Sequence, residues 1–394
     1  MAELFTGRNN SLGLLRLVMA GSVIFSHAGV LGFGSVSLLN RSFHGQTNVG
    51  NLAVYGFFVL SGILVTRSGA RLGIGRFLWH RALRLLPGLW TCLLVTGLVI
   101  VPLAYYRLHG GSLAGFWQHP DSPFEYLRNN LFAGEYQTEV AGVMHQGAQK
   151  GLIYDPELNG SLWSLKYEML CYFAVALLGW SGVLQRARRT IVVVTAALAV
   201  PVLGDALPTR FLDPRSVPRP SVLIPHMGSV NLSYLLYLAI AFAMGALIEL
   251  YRDRIPVNDL LGVLCGVTVV ATLLEGYFFV IGLPAFAYLL LWLAIRLPGP
   301  LRRIGAKNDY SYGLYIYGFP VEQLLAAFHA GHLGRLGFSA LAFALTLLLA
   351  AASWHLVERP ALRLKDIGRR SGPGRSGSTP PRRTEAPTAE LQHS

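Results

Sequence analysis

The stretch that decides the fold is residues 11–32, SLGLLRLVMAGSVIFSHAGVLG, which is apolar and long enough to cross a bilayer as a helix. Two ionisable side chains interrupt it, Arg16 and His27, eleven positions apart. At about 100° and about 1.5 Å per residue, both lie on one helical face and about 16 Å apart along the axis. Ionisable residues in a spanning helix are costly and usually face a protein interior or a watery cavity. We therefore expect the chemistry of the protein along this face.

The composition is typical of a polytopic membrane protein. Hydrophobic residues make up 53% of the 394 residues and charged residues only 13%, against about 25% charged in soluble domains. The three cysteines, Cys92, Cys171 and Cys265, each lie in an apolar run, which argues against a disulfide framework. No spacing of cysteines and histidines suggests a metal site, so we expect no metal. The fold class expected is all-α.

Apolar windows of about 20 residues predict about ten membrane-spanning segments. The seventh and eighth are separated only by Glu275 and Gly276, and the fifth runs into Asp205 and Pro208. Their approximate bounds are residues 11–32, 49–66, 85–106, 161–180, 190–207, 231–251, 257–274, 277–295, 311–328 and 337–356.

Charge predicts the orientation. Basic residues crowd alternate connections, which the positive-inside rule places in the cytoplasm together with both chain ends. These connections are residues 67–84, 186–189, 252–254 and 296–307. The long acidic connection between the third and fourth segments then falls outside. One exception stays unexplained by alternation: Arg210, Arg215 and Arg219 follow the fifth segment on the outer side.

The chain divides into a membrane domain, residues 1–365, and a tail, residues 366–394. The tail is rich in Gly, Ser, Pro and Arg without apolar periodicity, so we expect it to be disordered, basic and cytoplasmic. The net charge of +13 arises mostly in this tail and in the cytoplasmic connections. It therefore indicates contact with membrane lipids and requires no nucleic acid.

The depths of two residues suggest a catalytic pair. His27 lies within about 8 Å of the outer surface, and Glu168 lies about 10 Å below the same surface if the fourth segment begins at Ser161. A neutral imidazole beside a carboxylate is suited to take a proton from a hydroxyl. The alternative is structural, with His27 bonded to a neighbouring helix and Glu168 paired with Lys166 or an arginine.

A second group of residues lies near the cytoplasmic side. Arg81 and Arg84, three positions apart on one helical face, have the spacing to grip the phosphates of a nucleotide-containing donor. Ser61 and Gly62 would let a ligand or a helix approach closely. The alternative is that these arginines are there only because of the topology.

Several motifs give the chain a family resemblance. They are Arg16 and His27; Phe57-Phe58-Val59-Leu60-Ser61-Gly62; Arg81, Arg84 and Pro87; Ser161-Leu162-Trp163-Ser164-Leu165 with Glu168 and Tyr172; Ser311-Tyr312-Gly313-Leu314-Tyr315; and Val357-Glu358-Arg359-Pro360. In this order they resemble the membrane acyltransferase-3 family, bacterial enzymes that acylate hydroxyls of surface and exported glycans. The resemblance extends to about Lys365.

The resemblance implies roles for these residues. It implies His27 as the catalytic base, with Glu168 and Arg16 in the same site, and Arg81, Arg84 and Ser61 as contacts of acyl-CoA, acetyl-CoA being expected. We also expect substrate contacts from Trp163, Ser164 and Tyr317. Many family members carry a histidine in the ninth segment, where this chain has Gly318; Tyr317 or Glu322 would fill that space.

The expected function is O-acyl transfer from cytoplasmic acyl-CoA to a hydroxyl of a cell-envelope or exported glycan, by a multi-pass protein of the plasma (inner) membrane. His27 would take the proton from the acceptor, and a covalent acyl-histidine is an open variant. The alternative class is a secondary transporter, in which Arg16, His27 and Glu168 would bind a substrate or relay protons. The chain shows no paired halves of the kind many transporters have.

Overall fold

The computed structural model describes residues 10–149 and 157–366, and within these ranges it confirms the all-α fold class. A long helix lies at each predicted spanning segment. We number these helices in chain order: α1 Leu12–Phe33, α2 Val49–Gly69, α3 Ile74–Leu108, α4 Trp163–Trp180, α5 Arg188–Ala206, α6 Leu232–Leu250, α7 Asp259–Glu275, α8 Leu283–Arg296, α9 Ser311–Ala327 and α10 Gly334–Ser353. The predicted tail lies outside the described residues, apart from Asp366.

Short elements connect or extend the long helices. α3 is continuous through a π turn, Thr96–Ile100, and π turns also precede α8 and follow α10, at Phe278–Gly282 and Trp354–Glu358. The strands β1, Ser221–Ile224, and β2, Gly228–Asn231, form a small antiparallel hairpin before α6. Single helical turns and short helices are Pro123–Asn130, Val143–Gln149, Gly160–Leu162, Val183–Arg186, Pro214–Ser216, Gly299–Arg302, Ala330–Leu333, Arg359–Arg363 and Leu364–Asp366.

The helices make this a multi-pass membrane protein. Among the described residues, eight helical segments are long and apolar enough to cross a bilayer. α7 and α9 are just as continuous but have 17 residues each, slightly short of the usual span. The number of crossings and the side on which the ends lie therefore stay predictions.

Close packing of α2 against α6 depends on two glycines. A Cβ atom on Gly62 would overlap the backbone of α6 at Phe242, and one on Gly245 would overlap the α2 carbonyl of Val59. These two positions let the helix backbones touch, as small residues do in membrane helix pairs. The close approach that the sequence predicted at Gly62 is thus made by a helix.

The bundle has two distinct sides. The side where α1 begins and α2 ends carries the arginine-rich connections, and we call it the basic side. The opposite side carries the long α3–α4 connection, and we call it the loop side. α1 and α2 are antiparallel: Met19 lies against Gly56, and Ser26 Oγ donates to Asn48 Oδ1 at 3.3 Å on the loop side.

α9 runs parallel to α1 through the centre of the bundle. Arg16 pairs with Asp309, just before α9, and a Cβ on Gly318 would lie 2.9 Å from Ile24. Nearly every residue of α9 is buried, and the helix contacts α1 and α10 along its length.

The unexplained arginines between α5 and α6 are all paired with carboxylates. Arg210 bonds Glu275 at 2.8 Å, Arg215 bonds Asp213 at 2.9 Å and Arg219 bonds Asp205 at 2.7 Å. Each positive charge is therefore neutralised locally. Because the positive-inside rule counts arginine and lysine and not net charge, these three arginines stay an exception to the predicted orientation.

Candidate active site

A cavity on the basic side brings together most of the predicted site residues. It has a volume of about 110 Å³ and is walled by α1, α2, α3, α4 and α9. Predicted residues in its lining are Arg16, Ser61, Arg81, Arg84, Ser164 and Glu168, joined by residues that include Phe57, Tyr172, Ser311, Tyr312 and Tyr315. We call it the basic-side cavity.

Two of its three arginines share one carboxylate. Asp309 Oδ2 lies 3.0 Å from Arg16 and 2.6 Å from Arg84. Burial alone would raise the pKa of Asp309, but the charges of Arg16 and Arg84, with hydrogen bonds from Ser311, outweigh it and hold the pKa below its usual range. The carboxylate therefore stays ionised and fixes both guanidinium groups. Sequence reasoning missed Asp309, because only its place just before the Ser311 motif marks it.

Arg81 differs from these two arginines because no carboxylate contacts it in the described part of the chain. Its guanidinium lies 5.8 Å from the ring centres of Phe77 and Tyr172, in cation–π range. Its buried Nε has no hydrogen-bond partner there. Of the two arginines predicted to contact a donor, Arg81 is thus the one whose donors are available to an anion.

Glu168 is held by hydroxyl groups inside the same cavity. Ser61 Oγ donates to its Oε1 at 2.8 Å, and Tyr172, one turn along α4, donates to the same oxygen at 2.6 Å. Neither Lys166 nor an arginine forms an ion pair with Glu168 in the described structure; Lys166 bonds Glu135 instead. The alternative in which Glu168 pairs with Lys166 or with an arginine is therefore not observed.

His27 lies apart from this group. Its ring packs edge-on against Phe319 with centroids 5.2 Å apart, and its buried Nδ1 has no hydrogen-bond partner among the described residues. Its side chain is partly covered and is not in the lining of the basic-side cavity. An unsatisfied imidazole nitrogen is unusual in a protein interior.

The prediction that His27 and Glu168 meet at one depth is wrong. Ser26, the neighbour of His27, bonds Asn48, whereas Glu168 bonds Ser61. Residue rise from Asn48 to Ser61 along α2, and from Gly160 to Glu168 along α4, places Glu168 about 12–20 Å closer to the basic side than His27.

The cause is where α4 begins. The depth estimate placed Ser161 at the membrane surface, but the chain enters α4 from within the bundle. A Cβ on Gly160 would lie 2.7 Å from the ring of Phe319, the same ring that contacts His27. Gly160, and not Glu168, therefore lies at the depth of His27.

Two predicted substrate contacts lie elsewhere. Trp163 is outside the basic-side cavity and lines a second cavity. Tyr317 is 1% exposed and is in the lining of neither cavity. Glu322, named as its alternative, is fully buried, and neither carboxylate oxygen has a partner in the described structure.

The second cavity opens toward the loop side and is larger, about 390 Å³. Its wall combines α2, α4 and α6 with parts of the connections before α4 and α6. We call it the loop-side cavity. Sequence reasoning found only Trp163 of its lining, which consists of Gln46, Asn51, Val54, Tyr55, Gly134, Glu135, Thr138, Glu157, Trp163, Lys166, Tyr167, Asp213, Pro214, Arg215, Ser229, Asn231, Tyr234 and Leu238.

Val54 of α2 is in the lining of both cavities, so they lie end to end along the bundle. Between them, Ser164 Oγ and the Tyr315 hydroxyl form a hydrogen bond of 2.7 Å, and Phe57 packs on Tyr315. In the described ranges no three His, Cys, Asp or Glu side chains form a group that could hold a metal ion.

Fold and site together define a multi-pass α-helical membrane protein with a charged cavity on one side and a polar cavity on the other. A sequence model of the family Acyl_transf_3, described as an acyltransferase domain, matches residues 9–355. The chain therefore belongs to the acyltransferase-3 family. This membership favours an enzyme over the transporter alternative.

Two curated relatives match over most of their length. The chain is 26% identical over 363 residues to the "O-acetyl transferase" of Shigella phage Sf6, covering 89% of this chain and 96% of that protein. It is 27% identical over 383 residues to "Nodulation protein 10" of Rhizobium leguminosarum bv. viciae, covering 91% and 95%. No solved structure matches. Family and relatives together support O-acyl transfer.

Proposed function

We propose that the protein transfers an acyl group, acetyl in the simplest case, from acyl-CoA on the basic side to a hydroxyl of a cell-envelope or exported glycan on the loop side. The observation that carries the proposal is the convergence of Arg16, Ser61, Arg81, Arg84, Ser164 and Glu168 on one cavity. These residues come from four helices and were chosen from sequence motifs alone.

The basic-side cavity suits the donor in charge and shape. Arg81 offers uncompensated guanidinium donors, which bind phosphate oxygens with charge-assisted hydrogen bonds. The cavity volume of about 110 Å³ is small beside the about 300–1,000 Å³ usual for whole-ligand sites, which suits the thin end of a pantetheine arm better than a nucleotide. The nucleotide would then stay at the basic side while the thioester reaches inward past Ser61 and Arg16.

The transfer step follows general base catalysis. The acceptor hydroxyl oxygen attacks the thioester carbonyl, the carbon–sulfur bond breaks, and the acyl–oxygen ester forms. His27 takes the hydroxyl proton and returns it to the departing thiolate, giving free CoA-SH. Its unpartnered Nδ1 supports this role. Phe319 packs edge-on against the His27 ring, and the side chain is otherwise only partly covered.

Glu168 acts as a positioning residue in this scheme. Its carboxylate orients the hydroxyls of Ser61 and Tyr172 toward the same cavity and does not contact the imidazole. Direct transfer and a covalent acyl-histidine share the same requirement for His27.

The test is transfer by purified protein in liposomes, with acetyl-CoA labelled in the acetyl group. We expect acyl-CoA turnover that requires Arg81 and His27. A protein that is folded and inserted but neither hydrolyses nor transfers the acetyl group would contradict the proposal. Transport of a solute without turnover of acyl-CoA would instead indicate a secondary transporter.

A further inference from the structure

The loop-side cavity has a charge pattern that points to a ligand class. Five acidic or basic side chains line it, and four of them form two ion pairs. Lys166 Nζ lies 2.7 Å from Glu135 Oε2, and Arg215 lies 2.9 Å from Asp213. Both positive charges are therefore compensated within the wall itself.

The fifth group, Glu157, is left over. Its backbone carbonyl accepts from Gln323 at 2.8 Å, which fixes the residue at the cavity wall. Its carboxylate has no hydrogen bond or ion pair among the described residues. Burial raises the pKa of Glu157, and the nearby Lys166 charge opposes this shift. Among the described residues that line it, the cavity thus offers an unoccupied carboxyl oxygen and no uncompensated cation.

Aromatic rings supply the other recognition element. Trp163 and Tyr234 both line the cavity with ring centres 5.1 Å apart, and Tyr167 packs edge-on against both. Flat rings beside polar groups suit a ligand with one apolar C–H face and a rim of hydroxyls. Asn51, Thr138 and Ser229 add amide and hydroxyl groups to the wall.

From this combination we infer that the loop-side cavity is the acceptor site and that it takes an uncharged sugar ring in preference to an acidic one. The inference rests on the proposed function and names its acceptor class. The ring stacks on Trp163 and Tyr234, and one hydroxyl donates to Glu157. A uronic acid would place its carboxylate in a wall with no free cation, at a cost that the low dielectric of a membrane protein enlarges. A volume of about 390 Å³ lies in the range usual for small-ligand pockets, about 300–1,000 Å³.

A cysteine-protection experiment tests the inference without knowing the natural acceptor. Ser229 is exposed on β2 and lines the cavity, whereas Ser221, opposite Asn231 on β1, is exposed and does not. Ser229→Cys and the control Ser221→Cys are alkylated in liposomes, with the wild-type chain giving the background from its own cysteines. The probes are a mixture of methyl hexosides and a matched mixture of the corresponding methyl uronides.

We expect the neutral mixture to slow alkylation of Ser229→Cys at least threefold, the uronides to leave it unchanged, and neither to affect Ser221→Cys. Adding Glu157→Gln to Ser229→Cys should weaken the protection that the methyl hexosides give against alkylation. The alkylation rates measured with the two mixtures should then differ less. Glu125→Gln is the matched control, since Glu125 is a half-buried residue that pairs with Arg128 and does not line the cavity. Equal or stronger protection by uronides, or no protection by the hexosides, overturns the inference.

Hydrolysis of acetyl-CoA is measured in the same samples. It distinguishes a failure of the acceptor-site inference from a failure of the proposed acyl-transfer function. If hydrolysis persists and depends on Arg81 while protection is absent, only the acceptor assignment is wrong. If hydrolysis is also absent from folded protein, the proposed function itself has failed.

Discussion

The two cavities of this protein differ in the parts that build them and in their charge. The basic-side cavity is narrow, its walls are helices, and Arg81 carries its uncompensated charge. The loop-side cavity is wider, includes irregular connections, and Glu157 carries its uncompensated group. They meet at Val54 of α2. One bundle thus carries a cavity with an uncompensated arginine and a cavity with an uncompensated carboxyl group, which we propose for an anionic donor and a neutral acceptor.

The largest effect is expected at His27, the proposed base, which is in the lining of neither cavity. His27→Ala should lower kcat for transfer by about 100-fold or more, because general base catalysis contributes about 10²–10⁴. His119→Ala, an exposed histidine of the α3–α4 connection, should behave as wild type. Transfer by labelled acetyl-CoA measures both. Full transfer activity in a folded His27→Ala variant would show that His27 is not the general base.

Arg81 tests the donor side of the contrast. Arg81→Gln should raise the KM for acyl-CoA by about 10- to 100-fold, since a hydrogen bond to a charged group contributes about 1.5–3 kcal/mol. Arg76→Gln, exposed in the first turn of the same helix, is the control. Steady-state kinetics at fixed acceptor give the values. An unchanged KM would leave Arg81 with a topological role only.

Asp309 separates stability from donor binding. Asp309→Asn leaves Arg16 and Arg84 without their shared carboxylate, and we expect a loss of about 2 kcal/mol in stability, less than for a fully buried pair because these side chains are partly exposed. Thermal unfolding in detergent would show a lower Tm. The affinity for acyl-CoA should not fall in the surviving folded protein, since the cavity becomes more positive. A weaker affinity with an unchanged Tm would contradict this view.

Glu168 should give the smallest effect. The amide oxygen of Glu168→Gln still accepts from Ser61 and Tyr172, so only the charge assistance of two hydrogen bonds is lost, about 1 kcal/mol or about fivefold in kcat. Ser61→Ala provides a comparison that removes one donor. A drop beyond about 100-fold in Glu168→Gln would show that the carboxylate itself moves a proton.

Much of the basic-side cavity could be predicted from sequence, because its residues stand in motifs on apolar helices. Helical spacing placed Arg16 with His27 and Arg81 with Arg84, motifs marked Ser61 and Glu168, and a helix lies at each predicted span. What failed was the relative depth of α4. A spacing rule gives depth only if the helix begins at the membrane surface, and α4 begins beside Phe319.

The loop-side cavity could not be predicted in the same way. Glu135, Glu157 and Asp213 lie in connections with no periodicity, and their place depends on how those connections fold back onto the helices. Asp309 was missed for a related reason, since it precedes a helix and its partners come from α1 and α3. Long-range pairing of charges leaves no mark in the local sequence.

The central claim is that the two cavities serve the two substrates of one transfer reaction. The most direct test measures both Michaelis constants in Arg81→Gln and in Glu157→Gln, with acetyl-CoA as donor and the most protective methyl hexoside as acceptor. We predict that Arg81→Gln raises only the donor KM and that Glu157→Gln raises only the acceptor KM. If both variants raise the KM of the same substrate, the division of labour between the cavities is contradicted.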